Sequence, residues 1–368
     1  MTENPSQQQF FLQWALKLGE KGRLTAPPNP WVGCVLVKDG EIIGEGFHEA
    51  PGKPHAEIIA LQKAGLLSQG ATAYITLEPC SHYGRTPPCT EALIEAGIKK
   101  VVIPFTDPDP LVGGEGVKVL EKAGIEVIVG VAKEQAEESL ASYLHHRRTG
   151  FPYVVLKAAL SLDGRTAAAD GSSKWITSEE ARADVQRLRA ESQAILVGAK
   201  TALVDKPRLT VRKYPGFTPL RVLLDRRGNV SPEGPLFDLA LAPTLVATSP
   251  SCPTSRIEEW KEAGAEVLVC ETLLELLTYL GKRDIVQTLV EGGGELQSSF
   301  LNERLANRLS LYYGNCLLGS EGYPLFPHLT IPSINHAPRL ALKSTARLGS
   351  SMRLDYDLSS IGGSSSCE

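Results

Sequence analysis

Four residues in one stretch of this chain have the types and spacing to do chemistry together. His55 and Glu57 stand in PHAE (54–57), and Cys80 and Cys89 bracket the eight residues SHYGRTPP. A histidine nitrogen and two cysteine sulfurs suit Zn²⁺. Three protein ligands leave the fourth tetrahedral position to water, which marks a catalytic zinc. Glu57 lies two residues from a ligand and is poorly placed to be one itself. It suits a proton carrier that takes a proton from a water whose pKa the metal has lowered to ~7 and hands it to substrate. The same four residues also fit a structural zinc, or two buried thiols beside a capping glutamate.

The elements around these residues must bring them together. Pro54 reads as a helix start with Glu57 in its first turn, and HAEIIALQKAG continues that helix to Gly65. ATAYITLEPC reads as a strand that delivers Cys80. Cys89 follows Pro87-Pro88 and precedes the helical TEALIEAG, so it also sits near a helix N-terminus, where partial positive charge favours thiolate. Upstream, FFLQWALKLGEKG has helical spacing and VGCVLVKDGEIIGEGFH reads as a hairpin turning at Asp39-Gly40. Downstream, VVIPF and GVKVLEKAGIEVIVG continue an α/β alternation. HHRRTGFP (145–152) breaks the pattern and reads as a solvated linker, which sets the expected domains at 1–147 and 148–358.

From YVVLKAALSLDG onward a second α/β unit begins. AILVGAK, LRVLLD, PTLVAT, AEVLVC and IVQTLVEGG read as buried strands, with SEEARADVQRLRAES as a helix among them. No G-x-G-x-x-G opens this unit. VEGGGELQSSF near its end offers Gly292, Gly293 and Gly294 between a strand and a helix. That is either a cradle for a phosphate at a helix N-terminus or a plain glycine-rich turn. The small, polar tail at 359–368 reads as disordered. No internal repeat is visible.

Composition excludes several function classes. A chain of 368 residues suits two domains. A hydrophobic share of 42% with 22% charged residues is ordinary for a globular protein, and a formal net charge of −4 gives no electrostatic drive towards nucleic acid or anionic membrane. No secretory leader and no bilayer-spanning apolar run stand out. Seven scattered cysteines, an odd number, argue for a reducing compartment and so for the cytoplasm.

The HAE…EPC…C pattern resembles the zinc cytidine deaminase superfamily, whose general signature is H-x-E…P-C-x-x-C. The eight-residue spacer departs from that form. Together with NPWVGCV (29–35), GEGFHEAPGKPHAE (44–57), LKAALSLDGRTA (156–167), SKWITS (173–178) and VEGGGELQSSF (290–300), it resembles the bifunctional deaminase–reductases of riboflavin biosynthesis. The resemblance runs from about residue 10 to about residue 355. It implies a cytidine-deaminase-like zinc domain followed by a dihydrofolate-reductase-like α/β domain that uses NADPH. Two local departures are Pro27 where the family often has histidine, and Lys206 where it often has a second aspartate.

The resemblance implies roles residue by residue. His55, Cys80 and Cys89 bind zinc and Glu57 is catalytic. The long spacer carries Arg85 as a phosphate contact and His82 as a base or ribose contact, while Asn29 and His48 touch the substrate ring. Without the family, His48 reads as a surface histidine and Asn29 as a turn former. In the second domain Ala159, Trp175, Thr201, Asp205 and the run Gly293, Gly294, Glu295, Leu296, Gln297, Ser298 and Ser299 fall at cofactor positions. Ser173, Arg189, Leu209, Arg212 and Glu291 fall at substrate positions, with Arg189 and Arg212 suited to phosphate. Lys157 and Asp163 are weaker candidates.

The implied reactions are deamination of 2,5-diamino-6-(5-phosphoribosylamino)pyrimidin-4-one, then NADPH-dependent reduction of its ribosyl group to give 5-amino-6-(5-phosphoribitylamino)uracil. The expected partner is a small phosphorylated pyrimidine, with no nucleic acid and no membrane, in a homo-oligomer (dimer or tetramer). The competing classes are a nucleic-acid or nucleoside deaminase with an accessory reductase-like domain, which calls for a basic, aromatic surface, and a non-catalytic protein with a zinc staple.

Overall fold

A computed structural model describes residues 4–83, 87–109, 113–214 and 216–359. The chain parts into two compact units between Gly150 and Phe151. Arg85, and all of the expected tail except Ser359, lie outside the described residues.

In the first unit, α1 (Pro5–Gly19) opens on a capping box in which Asn4 accepts the Ser6 N–H and Gln7 reaches back to Asn4. β1 (Gly33–Lys38) and β2 (Glu41–Phe47) form the hairpin that Asp39-Gly40 calls for. Then follow α2 (Ala56–Ala64), β3 (Thr72–Ile75), α3 (Cys89–Glu95), β4 (Lys100–Ile103), α4 (Glu115–Lys122), β5 (Glu126–Val129), α5 (Lys133–Ser139) and α6 (Ala141–Thr149). The five strands run in the order β2-β1-β3-β4-β5. They are antiparallel on either side of β1 and parallel from β3 to β5. Apolar side chains leave both faces of the sheet. Leu36, Ile75 and Ile103 meet Ala60, Leu93 and Leu120 on one side, and Val35, Tyr74 and Val102 meet Phe11, Leu12 and Ala15 on the other. Burial on both faces explains why the strands read as continuous apolar runs.

Helix α2 sits directly on strand backbone. A Cβ added at Gly46 would lie 2.1 Å from the Ala56 carbonyl oxygen, and one at Gly44 would lie 2.3 Å from that of Ala60. Only glycine permits this approach.

The stretch 145–148, expected as a linker, is the last turn of α6, closed by Gly150 with φ of 75°. Three basic residues suit the negative end of a helix. His146 is buried, and Arg147 stacks 5.3 Å over the Tyr143 ring with Asp109 3.4 Å from its Nε.

The second unit contains β6 (Tyr153–Leu160), β7 (Arg165–Ala167), α7 (Glu179–Ala190), β8 (Ala194–Gly198), α8 (Ala199–Asp205), β9 (Leu220–Leu224), β10 (Thr244–Thr248) and α9 (Thr254–Glu262). It continues with β11 (Glu266–Val269), α10 (Leu273–Gly281), β12 (Gln287–Glu291), α11 (Gly294–Asn302), β13 (Arg308–Tyr313), β14 (Tyr323–Pro324), β15 (Ala341–Leu348) and β16 (Ser351–Asp357). Nine strands form one sheet in the order β11-β10-β9-β8-β12-β6-β13-β16-β15, parallel as far as β13 and antiparallel for the last two. β7 and β14 pair separately. The carboxyl ends of β8 and β12 lie side by side, so the loops after Gly198 and Glu291 open at one edge, where ligands of parallel sheets bind.

Candidate functional site

In the first unit, His55 occupies the N-cap position of α2, and its ring makes no capping bond to that helix. Cys89 opens α3, and Cys80 hangs from the segment after β3. His55 Nδ1 lies 3.2 Å from Cys89 Sγ and 3.6 Å from Cys80 Sγ, and the three donor atoms fall within 4.8 Å of one another. Among the described residues this is the group of His, Cys, Asp and Glu side chains able to hold a metal. Tetrahedral zinc with ordinary Zn–N and Zn–S bonds separates such atoms by about 3.5 Å. The donor set and its spacing therefore fit zinc, and the ion has three ligands to take from this chain.

The electrostatics of the cluster follow from its burial. Hydrogen bonding with Cys89, ahead of that with His55, draws the Cys80 thiol down to about 4. Its sulfur also accepts the Cys89 N–H at 3.4 Å. Cys89 is pushed up, by the Cys80 sulfur first and by burial second. Glu57 is buried in the first turn of α2, and burial pushes its carboxyl up, with the nearby His55 opposing. A carboxyl so placed holds a proton more readily than an exposed glutamate.

Asn29 and His48 come together. The Asn29 amide nitrogen is 3.1 Å from His48 Nε2, and His48 Nδ1 is 3.2 Å from the Pro54 carbonyl oxygen. The amide donates, so Nε2 accepts and Nδ1–H donates to Pro54, which is a neutral ring. Burial pushes the His48 pKa down, in agreement. The His48 ring packs edge-on against His55 at 5.2 Å. His48 is thus a buried neighbour of the ligand cluster and no surface histidine. His82 is exposed, and Tyr83 beside it donates to Glu91 at 2.7 Å.

Glu78 is a residue that sequence reasoning passed over. It opens Glu78-Pro79-Cys80, two residues before the cysteine. Its buried carboxylate accepts the backbone N–H groups of Asp107, Gly114 and Val117 at 2.9, 3.0 and 3.1 Å. The only sequence signal was a charged residue at the end of an apolar strand.

In the second unit the glycine turn joins β12 to α11. The Gly293 N–H donates to Thr201 Oγ1 at 3.0 Å, which brings two expected cofactor residues together. Gly292 has φ of 146°, a backbone conformation that favours glycine. The Gln297 amide faces inward and donates to the carbonyl oxygens of Lys157 and Gly292, so it holds the turn against β6. The Ser298 hydroxyl is buried and has no hydrogen-bond partner among the described residues. At the α11 N-terminus the space beside Gly293 is open, with Thr201 Oγ1 3.7 Å from where a Cβ would lie, and fits the phosphates of a dinucleotide. Gly294, in contrast, is bare because a Cβ there would lie 2.2 Å from the Leu325 carbonyl oxygen. Leu296 packs against the sheet core, and Glu295 and Ser299 are exposed. Asp205 is exposed at the end of α8, Ala159 is half-buried on β6, Ser173 is half-buried, and Trp175 is 68% exposed with the Arg182 guanidinium 4.5 Å over its ring.

Arg189 and Glu291 form a forked ion pair at 2.6 and 2.8 Å, with both side chains largely buried. The Arg189 fork is therefore engaged by a carboxylate and by the Thr210 carbonyl oxygen. Arg189 and Lys157 hold Glu291 below the usual carboxylate range against the burial that opposes it, and burial pushes Lys157 down. The Arg212 side chain is exposed, and its backbone N–H donates to Gln186. Leu209 is 2% exposed and belongs to the core around Leu223 and Trp260, so its side chain serves packing.

Comparison with known proteins adds the following. Residues 5–104 match the cytidine and deoxycytidylate deaminase zinc-binding region, and residues 152–354 match the RibD C-terminal domain. The chain is 45% identical to the riboflavin biosynthesis protein RibD of Chlamydia pneumoniae, over 98% of each chain. It resembles the solved structure of Acinetobacter baumannii RibD (form 1) with a TM-score of 0.88 and 42% identity, over 96% of this chain and 99% of that one. It resembles a diaminohydroxyphosphoribosylaminopyrimidine deaminase/5-amino-6-(5-phosphoribosylamino)uracil reductase of Thermotoga maritima with a TM-score of 0.87 and 36% identity, again over 96% and 99%.

Proposed function

The chain belongs to the RibD family, the bifunctional deaminase–reductases of riboflavin biosynthesis, and on that premise we propose how its own residues divide the two reactions. The enzyme uses Zn²⁺ and NADPH. It deaminates 2,5-diamino-6-(5-phosphoribosylamino)pyrimidin-4-one and then reduces the ribosyl group, giving 5-amino-6-(5-phosphoribitylamino)uracil. No helix among the described residues is long and apolar enough to cross a membrane.

The first unit carries the deamination. When bound to His55, Cys80 and Cys89, zinc makes hydroxide available from water at neutral pH. Glu57 takes the proton that water gives up on attacking the ring carbon bearing the 2-amino group. It gives that proton to the ring nitrogen, then takes the proton left on the new hydroxyl and gives it to the departing amine, so ammonia leaves and a carbonyl remains. The buried position that raises its pKa suits a group that must hold a proton between transfers. Asn29 and His48 orient the ring, His82 contacts base or ribose, and Arg85 binds the phosphate. The carrying observation is the convergence of two sulfurs and one imidazole nitrogen within 4.8 Å beside a buried glutamate.

The second unit carries the reduction, with NADPH supplying the hydride. Gly293, Gly294 and the start of α11 cradle its phosphates, with Thr201 fixing the turn, and Ala159, Trp175 and Asp205 complete the cofactor side. On the substrate side stand Ser173, Arg212 and Glu291. Arg189 acts there through Glu291, which leaves Arg212 the more available cation for phosphate. Leu209 contributes through its backbone. The assembly is a homo-oligomer, dimer or tetramer, working in the cytoplasm.

The test is to assay the two reactions apart on one preparation. Ammonia release from the diaminopyrimidine should need zinc and no NADPH. NADPH oxidation with deaminated substrate should survive zinc removal. If chelation stopped both reactions equally, this division of labour would be wrong.

A further inference from the structure

Helix α4 begins without a side-chain cap of its own: its N-cap residue, Gly114, has φ of 85° and no side chain. The first N–H groups of a helix need acceptors, and buried ones left unpaired are costly. Glu78 supplies them from another part of the chain. Its Oε2 accepts from Asp107 and Gly114, and its Oε1 accepts from Val117. One carboxylate thus joins the two ends of the segment 107–114 and closes the start of α4. The adjoining Pro79 lies against the same helix, since a Cβ at Gly116 would lie 2.1 Å from its carbonyl oxygen and 3.1 Å from Glu78 Oε1. The chain from Glu78 to Cys80 is therefore held both by charge-assisted hydrogen bonds and by backbone contact. Cys80 follows one residue after this clamp, and its carbonyl in turn accepts the Thr90 N–H on the helix that carries Cys89.

We propose that Glu78 is a positioning residue of the metal centre: by clamping the α4 N-terminus it fixes the Cys80 sulfur where zinc requires it. Glu78 touches neither zinc nor substrate and acts only through Cys80. The inference rests on the reading of His55, Cys80 and Cys89 as the zinc ligands. Groups that orient metal ligands typically alter metal affinity or activity ~10–100-fold when replaced. Glutamine at position 78 keeps the shape but loses the charge and turns an NH₂ towards at least one N–H donor.

The experiment compares wild type, Glu78→Gln and Gly116→Ala as full-length chains. Zinc affinity is measured by chelator competition. The absorption spectrum of the cobalt-substituted protein reports the geometry of the two thiolates, and NADPH oxidation with deaminated substrate serves as the folding control. Both variants should bind zinc ~10–100-fold more weakly than wild type. Both should show altered thiolate-to-cobalt and d–d bands while NADPH oxidation stays at the wild-type level. Gly116→Ala crowds the same clamp while leaving the carboxylate's charge in place, so agreement between the two variants separates positioning from loss of charge. If both kept wild-type zinc affinity and cobalt spectra and lost only thermal stability, Glu78 would be an ordinary helix cap and the proposal would fail. If wild type itself bound no zinc, the ligand assignment and this inference would fall together.

Discussion

The two units solve site-building in opposite ways. In the first, the proposed chemistry rests on a few side chains, three of them able to hold a metal with donor atoms within 4.8 Å of one another, at the starts of α2 and α3 and on the segment after β3. In the second, the residues expected at the cofactor range from half-buried Ala159 on β6 to Trp175 at 68% exposure, and the expected phosphate cradle is a glycine turn of bare backbone. A metal dictates ligand types, distances and number. A dinucleotide can be held by glycine N–H groups and a helix end, which constrain sequence far less. A metal centre should therefore fail sharply at single positions, and a cofactor cleft gradually.

The sharpest failure should come at Glu57. Glu57→Gln keeps shape and hydrogen bonding but cannot shuttle protons, so ammonia release should fall ~10²–10⁴-fold with zinc content unchanged. Reductase turnover in the same protein should be normal. Near-wild-type ammonia release would remove Glu57 from the mechanism and blur the contrast between the units.

Next in size is a place where the second unit also depends on a single largely buried ion pair. Arg189→Ala leaves the Glu291 carboxylate without its forked partner. Breaking a buried ion pair in this way costs ~3–5 kcal/mol. Denaturant unfolding should show the reductase unit destabilised while zinc-dependent deamination persists. A loss below ~1 kcal/mol, with KM for the phosphorylated substrate raised instead, would mean that Arg189 serves substrate and not Glu291.

A third measurement compares the units by pH. Asp107, in the first unit, is raised by burial from 3.8 to about 6, despite the hydrogen bonds from Asp109 and Tyr143 that oppose it. Its protonated form is favoured in the fold. That contribution is complete below pH ~4 and lost as pH rises through ~6, a difference of ~2–3 kcal/mol. Asp107→Asn should flatten this part of the pH–stability curve relative to wild type, in the deaminase unit alone. Parallel curves for the two proteins would exclude Asp107 as the titrating group.

The smallest effect belongs to the backbone-built site. Thr201→Val removes the acceptor of the Gly293 N–H. One hydrogen bond is worth ~0.5–1.5 kcal/mol, so KM for NADPH should rise ~2–12-fold with kcat held. A loss of several hundred-fold would make this turn as brittle as the metal centre.

The same contrast governs what the sequence made legible. The hairpin at Asp39-Gly40, α2 beginning beside His55 and the buried parallel strands follow from local pattern, and the choice of His55, Cys80 and Cys89 as a group able to hold a metal follows from residue chemistry. Pairing across long separations does not. Arg189 and Glu291 lie 102 residues apart, and nothing local says that the fork is occupied. Leu209, which the resemblance puts at a substrate position, has its side chain in the core. The 145–148 stretch reads as polar linker because its partners, buried Tyr143 and half-buried Asp109, lie partly in another segment. Glu78 escaped notice because its three partners are backbone N–H groups, which carry no residue identity.

The seating of α2 on the glycines of β2 has a kinetic consequence. Because the Ala56 and Ala60 carbonyls rest on strand backbone with no side chain between, helix and sheet move as one body. His55 and Glu57 are carried at the end of that body, so their places are set when the domain folds and not when metal arrives. Zinc uptake is then a docking event on a finished surface. The apo and metal-loaded forms should give the same far-ultraviolet circular dichroism, and loading should follow simple second-order kinetics, with no slower ordering phase behind it.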